Sequence, residues 1–569
     1  MTRLDDVLDS RNPFAPSGRA LQPRDTRLDR LGVVVGGSLN DGIRIKLDRD
    51  TFVEGLAVGS YVTIDGQTDC RFLGLITDIA LDTTDPSLTR TPPQDALSAE
   101  IFRGTAAFGV LTVKPMLKLE GEKGEARPVK TVPTHFTIAR RSSPEEIEQV
   151  FGAARGSDAR PYEIGASLDD DKVRISLDLE RLVERSSAVF GRSGTGKTFL
   201  ALPLLASVIR QDVASALIFD MHNDYGYTLK GDGNRKLKGL KSLAAIADKV
   251  SVVTLDEVSS KTRKTGYEFI LKIGYGQIEP EDIEMLKSAL SLSDIQINTL
   301  FVLKRRFPSD WFARLLSDEE DSGIRELIDA EKIIEGTFMA IQRKVGRMRK
   351  FGFMGESAPD GQDAVNRIVE MLTRGKSVVV EFGRYGNDLP AYIFVANYLT
   401  RRIHQRYVEM KEAAEGGGPE PRKLVIAVEE AHKFLEPEIA GQTIFGTIAR
   451  ELRKYNVTLL IIDQRPSQID AEIMSQIGTR ITCALSDDRD ISAVFSGVSG
   501  SAQLRGVLAG LESKQQALIL GHAVPMPVVI QTAEYGEAIY AQYAVADLTP
   551  AQAKTRKNIF GSGDDAPLA

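Results

Sequence analysis

At 569 residues with 42% hydrophobic side chains, the chain is long enough for two or three domains with sizeable cores. It contains no uninterrupted apolar run near ~20 residues, so no membrane-spanning helix and no membrane partner are expected. Its first residues, Met1-Thr-Arg-Leu-Asp-Asp6, lack the charged-then-apolar layout of an export signal. Two distant cysteines, Cys70 and Cys483, are too few for a disulfide framework or a zinc site and suit a reducing cytoplasm. The net charge of −7 neither supports nor excludes nucleic-acid binding, since only the residues that meet phosphate need be basic.

In chain order, the first region runs to about residue 160. From Leu31 to about Ala80 short runs alternate apolar and polar residues, as in Leu31-Gly-Val-Val-Val35, Ile43-Arg-Ile-Lys-Leu47 and Tyr61-Val-Thr-Ile64. A further strand pair is expected at Ala106–Val113 and His135–Ala139, with Gly121–Arg127 as a charged hairpin or loop. Short strands broken by Gly, Asn and Asp predict a small β-barrel or sandwich, used either for docking a partner or as a nucleic-acid-binding barrel.

The second region, 161–535, opens with a hairpin (Tyr162–Ser167, Val173–Leu177) and the apolar strand Ser187-Ala-Val-Phe190. Next comes Gly191-Arg-Ser-Gly-Thr-Gly-Lys-Thr198, a complete GxxxxGK[ST] phosphate-binding loop. Its glycines let successive backbone N–H groups turn toward a polyphosphate, Lys197 reaches the β and γ phosphates, and the Thr198 hydroxyl holds Mg²⁺. A helix from Thr198 to about Arg210 adds the positive end of its dipole, although Pro203 removes one of its hydrogen bonds and bends it. Gly191, Ser193, Gly194, Thr195, Gly196, Lys197, Thr198 and the following Phe199 are the candidate nucleotide-binding residues.

Strands are expected at Ala216–Asp220 and Val250–Leu255. Apolar spacing of three and four over Glu268–Phe351 (Ile283, Leu286, Leu290; Phe338, Ile341, Val345) then predicts a helical subdomain inserted at about 260–360. Its basic stretch Arg343, Lys344, Arg347, Arg349, Lys350 is either a DNA-facing strip or a solvated helix face. Strand Ser377–Phe382, a long helix from about Pro390 to Ala414 and the linker Glu415–Pro421 follow. Strand and helix alternate as in a parallel, doubly wound α/β sheet.

The run Leu424-Val-Ile-Ala-Val428 ends in Glu429-Glu430, as in a buried strand that delivers carboxylates to the sheet's C-terminal edge. Glu429 is the candidate metal-holding acid beside Thr198, and Glu430 the group that polarises the attacking water. Neighbouring residues of a strand point to opposite faces, so the two acids have different tasks. The next strand, Val457–Ile462, ends in Asp463-Gln464-Arg465-Pro466, where Gln464 is the candidate γ-phosphate sensor, or a turn cap ahead of Pro466. Arg480–Ala484 and Gln515–Pro525 are expected as closing strands, and 536–569 as a polar tail reaching a neighbour.

In this order the motifs resemble those of HerA-type hexameric DNA translocases of the HerA/FtsK superfamily. The resemblance rests on Asp220-Met-His-Asn-Asp-Tyr225, Glu429-Glu-Ala-His-Lys-Phe434, Ala449-Arg-Glu-Leu-Arg-Lys-Tyr455 and Gln464-Arg-Pro-Ser467, together with the phosphate loop. Asn223 and Asp224 replace a usual Gly-Glu, Leu452 a usual Gly, and Ser186 a common His. The resemblance implies a RecA-like P-loop ATPase core behind a small N-terminal β-barrel, an ATP and Mg²⁺ requirement, and a homohexameric ring acting on double-stranded DNA. A nuclease, a sirtuin-like enzyme or another effector would dock on the barrel face, for DNA processing or antiphage defence. It further implies Arg453 as an arginine finger supplied to the neighbouring subunit, Arg450 as second choice and Arg185 as a supporting contact. Two other readings stay open: a secretion or conjugation ATPase of the same superfamily, and an ATPase scaffold that regulates a bound effector.

Overall fold

The computed structural model describes residues 29–121, 126–152, 159–168, 170–231, 235–317, 321–355, 363–441, 443–450, 454–498, 501–512 and 515–543. Two compact units divide the chain: the first holds most of the sequence up to Ser142, and the second the sequence from Ser143 together with Ala57–Ser60 and Leu75–Asp78.

The first unit is a closed barrel. Its strands are β1 (Arg30–Ser38), β2 (Gly42–Leu47), β3 (Tyr61–Asp65), β4 (Cys70–Thr83), β5 (Ala107–Glu120), β6 (Ala126–Pro128) and β7 (Ile138–Arg141). They follow the order β2-β1-β7-β3-β4-β5, and β5 pairs back onto β2 with Ile45 opposite Leu111, so no open edge is left in that ring. The alternation of Ile43-Arg-Ile-Lys-Leu47 has the consequence expected of a two-residue period: Ile43, Ile45 and Leu47 are buried while Arg44 is exposed. β6 pairs antiparallel with β5, and residues 122–125 of the expected charged hairpin or loop lie outside the described residues. The expected strand at His135 starts only at Ile138, because Phe136 adopts a left-handed φ of 65° that breaks the extended run.

The second unit is built on a twelve-stranded sheet. Its members are β8 (Pro161–Ser167), β9 (Arg174–Asp178), β10 (Ser187–Phe190), β11 (Ser215–Asp220), β14 (Val250–Thr254), β15 (Phe269–Ile270), β18 (Ser377–Glu381), β19 (Leu424–Glu429), β20 (Val457–Asp463), β21 (Thr479–Cys483), β22 (Gln516–Gly521) and β23 (Val528–Thr532). Outside it lie the hairpin β12 (Thr228–Lys230) with β13 (Lys236–Lys238), and the pair β16 (Ile273–Gly274) with β17 (Met354–Gly355). The order is β15-β14-β18-β11-β19-β20-β10-β21-β22-β23-β8-β9. From β15 to β21 the strands are parallel and buried along their whole length at the centre, which is why they read as unbroken Val, Ile and Leu runs. The flank from β22 to β9 is antiparallel, a departure from the all-parallel expectation. The short β8–β9 and β22–β23 connections account for it, since a parallel pair needs a crossover of a dozen residues or more.

Between β14 and β18 lies the helical insertion, including helices Asp294–Arg306, Trp311–Leu316, Ser322–Ala330 and Glu335–Val345. Ile283, Leu286, Leu290, Phe338, Ile341 and Val345 are all buried, as their spacing requires. Ser293 and Gln296 form a reciprocal capping box at the start of the first of these helices, and the Trp311 indole donates to the Ile278 carbonyl at 2.9 Å. Part of the basic stretch is spent within the chain: Lys344 donates to Gln296 at 2.9 Å, Arg349 to the Leu316 carbonyl, and Lys350 pairs with Asp388.

The helix after the phosphate loop spans Lys197–Arg210 with Pro203 inside it. The first residues of the expected tail do not leave the core. Helix Glu537–Gln542 packs back on the second unit, and the Tyr543 hydroxyl bridges Ser207 at 2.6 Å and the Pro203 carbonyl at 3.0 Å. Tyr540 and Tyr543 are large and apolar enough for burial to outweigh the polar composition around them. The rest of the expected tail, 544–569, lies outside the described residues.

Candidate functional site

The site grows from the C-terminal ends of three adjacent parallel strands: β10 carries the phosphate loop, β20 lies beside it, and β19 beyond that. One strand, β20, thus separates the acidic strand from the loop strand. Within the loop, Gly194 and Gly196 have φ of 77° and 98°, a left-handed region costly for other residues, and both open onto free space. At Gly191 a side chain would lie 2.6 Å from the Thr195 hydroxyl and 2.8 Å from Cys483, so packing, not only dihedral freedom, demands glycine there.

The loop is braced from inside. The Thr195 hydroxyl donates to the Arg192 carbonyl at 2.8 Å, and Lys197 Nζ, in the first turn of the helix, donates to the same oxygen at 3.2 Å. Burial holds the Lys197 ammonium below the usual lysine range, against the pull of Glu430, Asp463 and Glu429 nearby.

Glu429 and Glu430 are engaged from opposite sides, as the sheet order dictates. Glu429 ends β19 and accepts a hydrogen bond from the Tyr225 hydroxyl at 3.1 Å, just past β11. Glu430 accepts from Gln464 Nε2 at 3.3 Å to both carboxylate oxygens, just past β20. Tyr392, on the long helix Leu389–Glu415, holds the Glu429 carbonyl at 2.8 Å. Glu430 has a φ of 50°, a left-handed value that costs a non-glycine residue ~1–2 kcal/mol. Such strain is often kept where a side chain must be aimed.

Burial, with Asp220 close by, pushes the Glu429 carboxyl up to about 8. Asp220 is itself pushed up to about 7 by burial and by Glu381, although it accepts backbone N–H groups from Asp224, Tyr225 and Gly226. Those three bonds explain the spacing of Asp220-Met-His-Asn-Asp-Tyr225: the aspartate ties the turn that delivers Tyr225 to Glu429. Asn223 in that turn has a φ of 60°, and its Oδ1 accepts from the Gly383 N–H at 2.9 Å. Asparagine therefore meets the backbone demand otherwise met by glycine.

A cleft of about 560 Å³ opens over these groups. It is lined by Ser193 to Leu200, Glu429, Glu430 and Gln464, which brings most of the sequence-derived set together. Its outer wall comes from residues that motif reading missed: Leu229 and Leu237 of the β12–β13 hairpin, Arg235, and Thr532–Tyr535 after β23. Tyr535 stacks on Phe199 with ring centroids 6.0 Å apart. The strands β12 and β13 are too short to show a period, so only the fold reveals them.

Two of the candidate finger arginines lie elsewhere. Arg450 ends helix Ile444–Arg450 and pairs with Glu472 at 3.4 Å, Arg185 packs against Gly478, and neither lines the cleft. Arg453 lies outside the described residues.

The family described as "Helicase HerA, central domain" matches residues 162–403. A DNA double-strand break repair helicase HerA of Pyrococcus furiosus is 23% identical over 493 residues, covering 77% of this chain and 81% of the relative. Its counterpart in Sulfolobus acidocaldarius is 25% identical over 512 residues, covering 88% and 92%. Over most of its length the chain is thus similar to HerA-type ATPases of the HerA/FtsK superfamily. As a HerA-type chain it is an ATP hydrolase, with a RecA-like core, an inserted helical region and an N-terminal barrel. The HerA central-domain match ends before Glu429, so the acidic and sensor strands are covered by the longer alignments to whole HerA relatives. Among solved structures, a bacterial conjugative coupling protein, TrwBdeltaN70, is similar over 68% of this chain and 96% of that one, at 12% identity and a TM-score of 0.43.

The HerA-type site also fits a divalent cation by its own chemistry. Glu429 Oε2 is buried without a hydrogen-bond partner among the described residues, an orphan that a cation's charge would satisfy. No described helix is long and apolar enough to cross a membrane.

Proposed function

We propose that the chain is the motor subunit of a cytoplasmic, homohexameric, Mg²⁺-dependent ATPase that drives double-stranded DNA through or past its channel as a translocase or helicase. A nuclease, a sirtuin-like enzyme or another effector docks on its barrel face, in DNA processing or antiphage defence. The observation that carries this reading is the pair Glu429–Glu430, held from opposite sides by Tyr225 and Gln464 at the mouth of the phosphate loop. The names of the relatives, DNA repair helicases aligned over most of this chain, support DNA as the track. The free thiols of Cys70 and Cys483 agree with a reducing compartment.

In this reading Gly191, Ser193, Gly194, Thr195 and Gly196 cradle the triphosphate with their N–H groups, Phe199 packs near the nucleoside, and Lys197 meets the β and γ phosphates. Thr198 and Glu429 hold Mg²⁺, which when bound offsets the charge on the phosphate oxygens. Glu430 accepts the proton of the attacking water, and Gln464 registers the γ phosphate from the neighbouring strand. Arg453 reaches the neighbouring subunit's site as a finger, with Arg450 the second choice and Arg185 in support.

Steady-state ATP turnover tests the site. Lys197→Ala abolishes it through weak nucleotide binding, whereas Glu430→Gln binds ATP normally and turns over about 100-fold more slowly or worse, the usual worth of a positioned general base. Wild-type rates for both variants refute the assignment. Displacement of a triplex-forming strand from duplex DNA tests the track, and an active ATPase that never displaces it refutes translocation.

A further inference from the structure

Between the strand that leads to Glu430 and the strand that leads to Gln464 lies a contact that the reading above leaves unused. Asp463, the last residue of β20, is buried, yet its carboxylate spans the gap to the neighbouring strand end. Its Oδ2 accepts both the backbone N–H of His432, at 2.8 Å, and the ring Nδ1 of His432, at 2.9 Å. Its Oδ1 lies 3.2 Å from the same ring nitrogen and accepts the Arg465 N–H at 2.7 Å. Burial works against ionisation of Asp463, but the His432 ring and these backbone donors hold its carboxyl below the usual aspartate range. The same Nδ1 is 3.7 Å from Glu430 Oε2, a contact rather than a hydrogen bond, while Gln464 Nε2 lies 3.3 Å from both carboxylate oxygens. The Glu430 carboxylate thus has one donor, Gln464, just past β20, and lies against the His432 ring, which Asp463 clips to the same strand.

A carboxylate on a strained, left-handed backbone has no reason to keep one rotamer unless something holds it, and misplacement by an ångström costs a reaction as much as ~100-fold. We propose that His432, clipped to Asp463, is a positioning residue for Glu430: it fixes the carboxylate beside Gln464 and ties the water-activating acid to the strand that carries the γ-phosphate sensor. The ring orients by Nδ1 and the acid it serves does the chemistry, as outer-shell partners do for ligating side chains. This rests on the reading of Glu430 as the water-activating group.

The test exploits which ring nitrogen is used. An asparagine amide reaches about where Nδ1 sits, and a glutamine amide about where Nε2 sits. ATP turnover by the full chain with Mg²⁺ should fall about 10- to 100-fold in His432→Gln with KM for ATP unchanged, and His432→Asn should recover most of it. In a Glu430→Gln background, His432→Gln should cost nothing further, because it acts through a group already removed. Asp463→Asn, equal in size, should reproduce the kcat loss. Equal rates for His432→Asn and His432→Gln, multiplicative losses with Glu430→Gln, a rise in KM instead of a fall in kcat, or an unimpaired Asp463→Asn would each overturn the proposal, the last even if the ring variants fail to fold. Unimpaired turnover in Glu430→Gln alone would instead sink the water-activating role. An inactive Glu430→Gln beside a fully active His432→Gln would sink only the clip.

Discussion

Asp220 and Glu429 are buried acids whose protons are held more tightly than those of ordinary carboxylates, because desolvation outweighs the donors around them. For Asp220 the sign of the consequence is fixed. Its value rises from 3.8 to about 7, so between those limits the folded chain keeps a proton that the unfolded chain has released. Stability from this group is complete below the lower limit and is lost as pH climbs through the upper one. Asp220→Asn should therefore cost more near about pH 5 than near about pH 8, measured as urea midpoints without nucleotide or Mg²⁺; an opposite trend would show the carboxyl ionised in the fold. At this scale the sequence was informative where chemistry follows a strand end, as at Glu430 and Gln464. It was silent on Asp463, His432 and Tyr225 as contacts, because they meet across 204 residues in the case of Tyr225 and Glu429, and 31 in the case of His432 and Asp463. At Asn223, a departure from the family pattern, the left-handed φ of 60° suits asparagine nearly as well as glycine.

Elements with long, pure periods were legible and short ones were not. The buried parallel strands β11, β18, β19 and β20 stand out as unbroken apolar runs, and the insertion's helices show in the spacing of Ile283, Leu286 and Leu290. The hairpin β12–β13 and the strand β23 escaped, the first for its length and the second because Pro525 and Pro527 suggest an ending before it. The hairpin is held by the chain's late residues: the Tyr535 hydroxyl donates to the Lys238 carbonyl at 2.6 Å, and the Lys238 N–H donates to the Tyr540 hydroxyl at 2.9 Å. On the phosphate-loop helix, the Tyr543 hydroxyl is a buried bridge. Tyr543→Phe should lower stability by ~1–3 kcal/mol, the cost of leaving a buried polar partner unmade, read as a thermal or urea shift. A neutral result would mean that water takes the hydroxyl's place.

At the scale of the whole molecule, the fold class and the order of barrel, core and insertion were readable because each has its own period: two residues in the barrel, buried runs in the sheet, three and four in the insertion. The antiparallel flank was not, since an isolated strand carries no sign of its direction. The proposed ring makes its own prediction. Arg450 pairs with Glu472 and Arg185 packs on Gly478, so the chain's own cleft lacks both. If Arg453 acts on a neighbour, Arg453→Ala binds ATP and does not hydrolyse it, a loss on the order of 10³-fold. Mixing it with Lys197→Ala subunits then restores part of the turnover, because each mutant supplies what the other lacks. A mixture as inactive as its components would count against action between subunits.

The Tyr543 bridge places the last described residue against the helix that starts at Lys197, at the very proline where that helix lacks a hydrogen bond. Tension applied to the polypeptide past that tyrosine would bear on the rod whose tip grips phosphate. The anchor thus offers a mechanical route by which anything bound to the trailing end could loosen or tighten the grip on nucleotide, without entering the cleft.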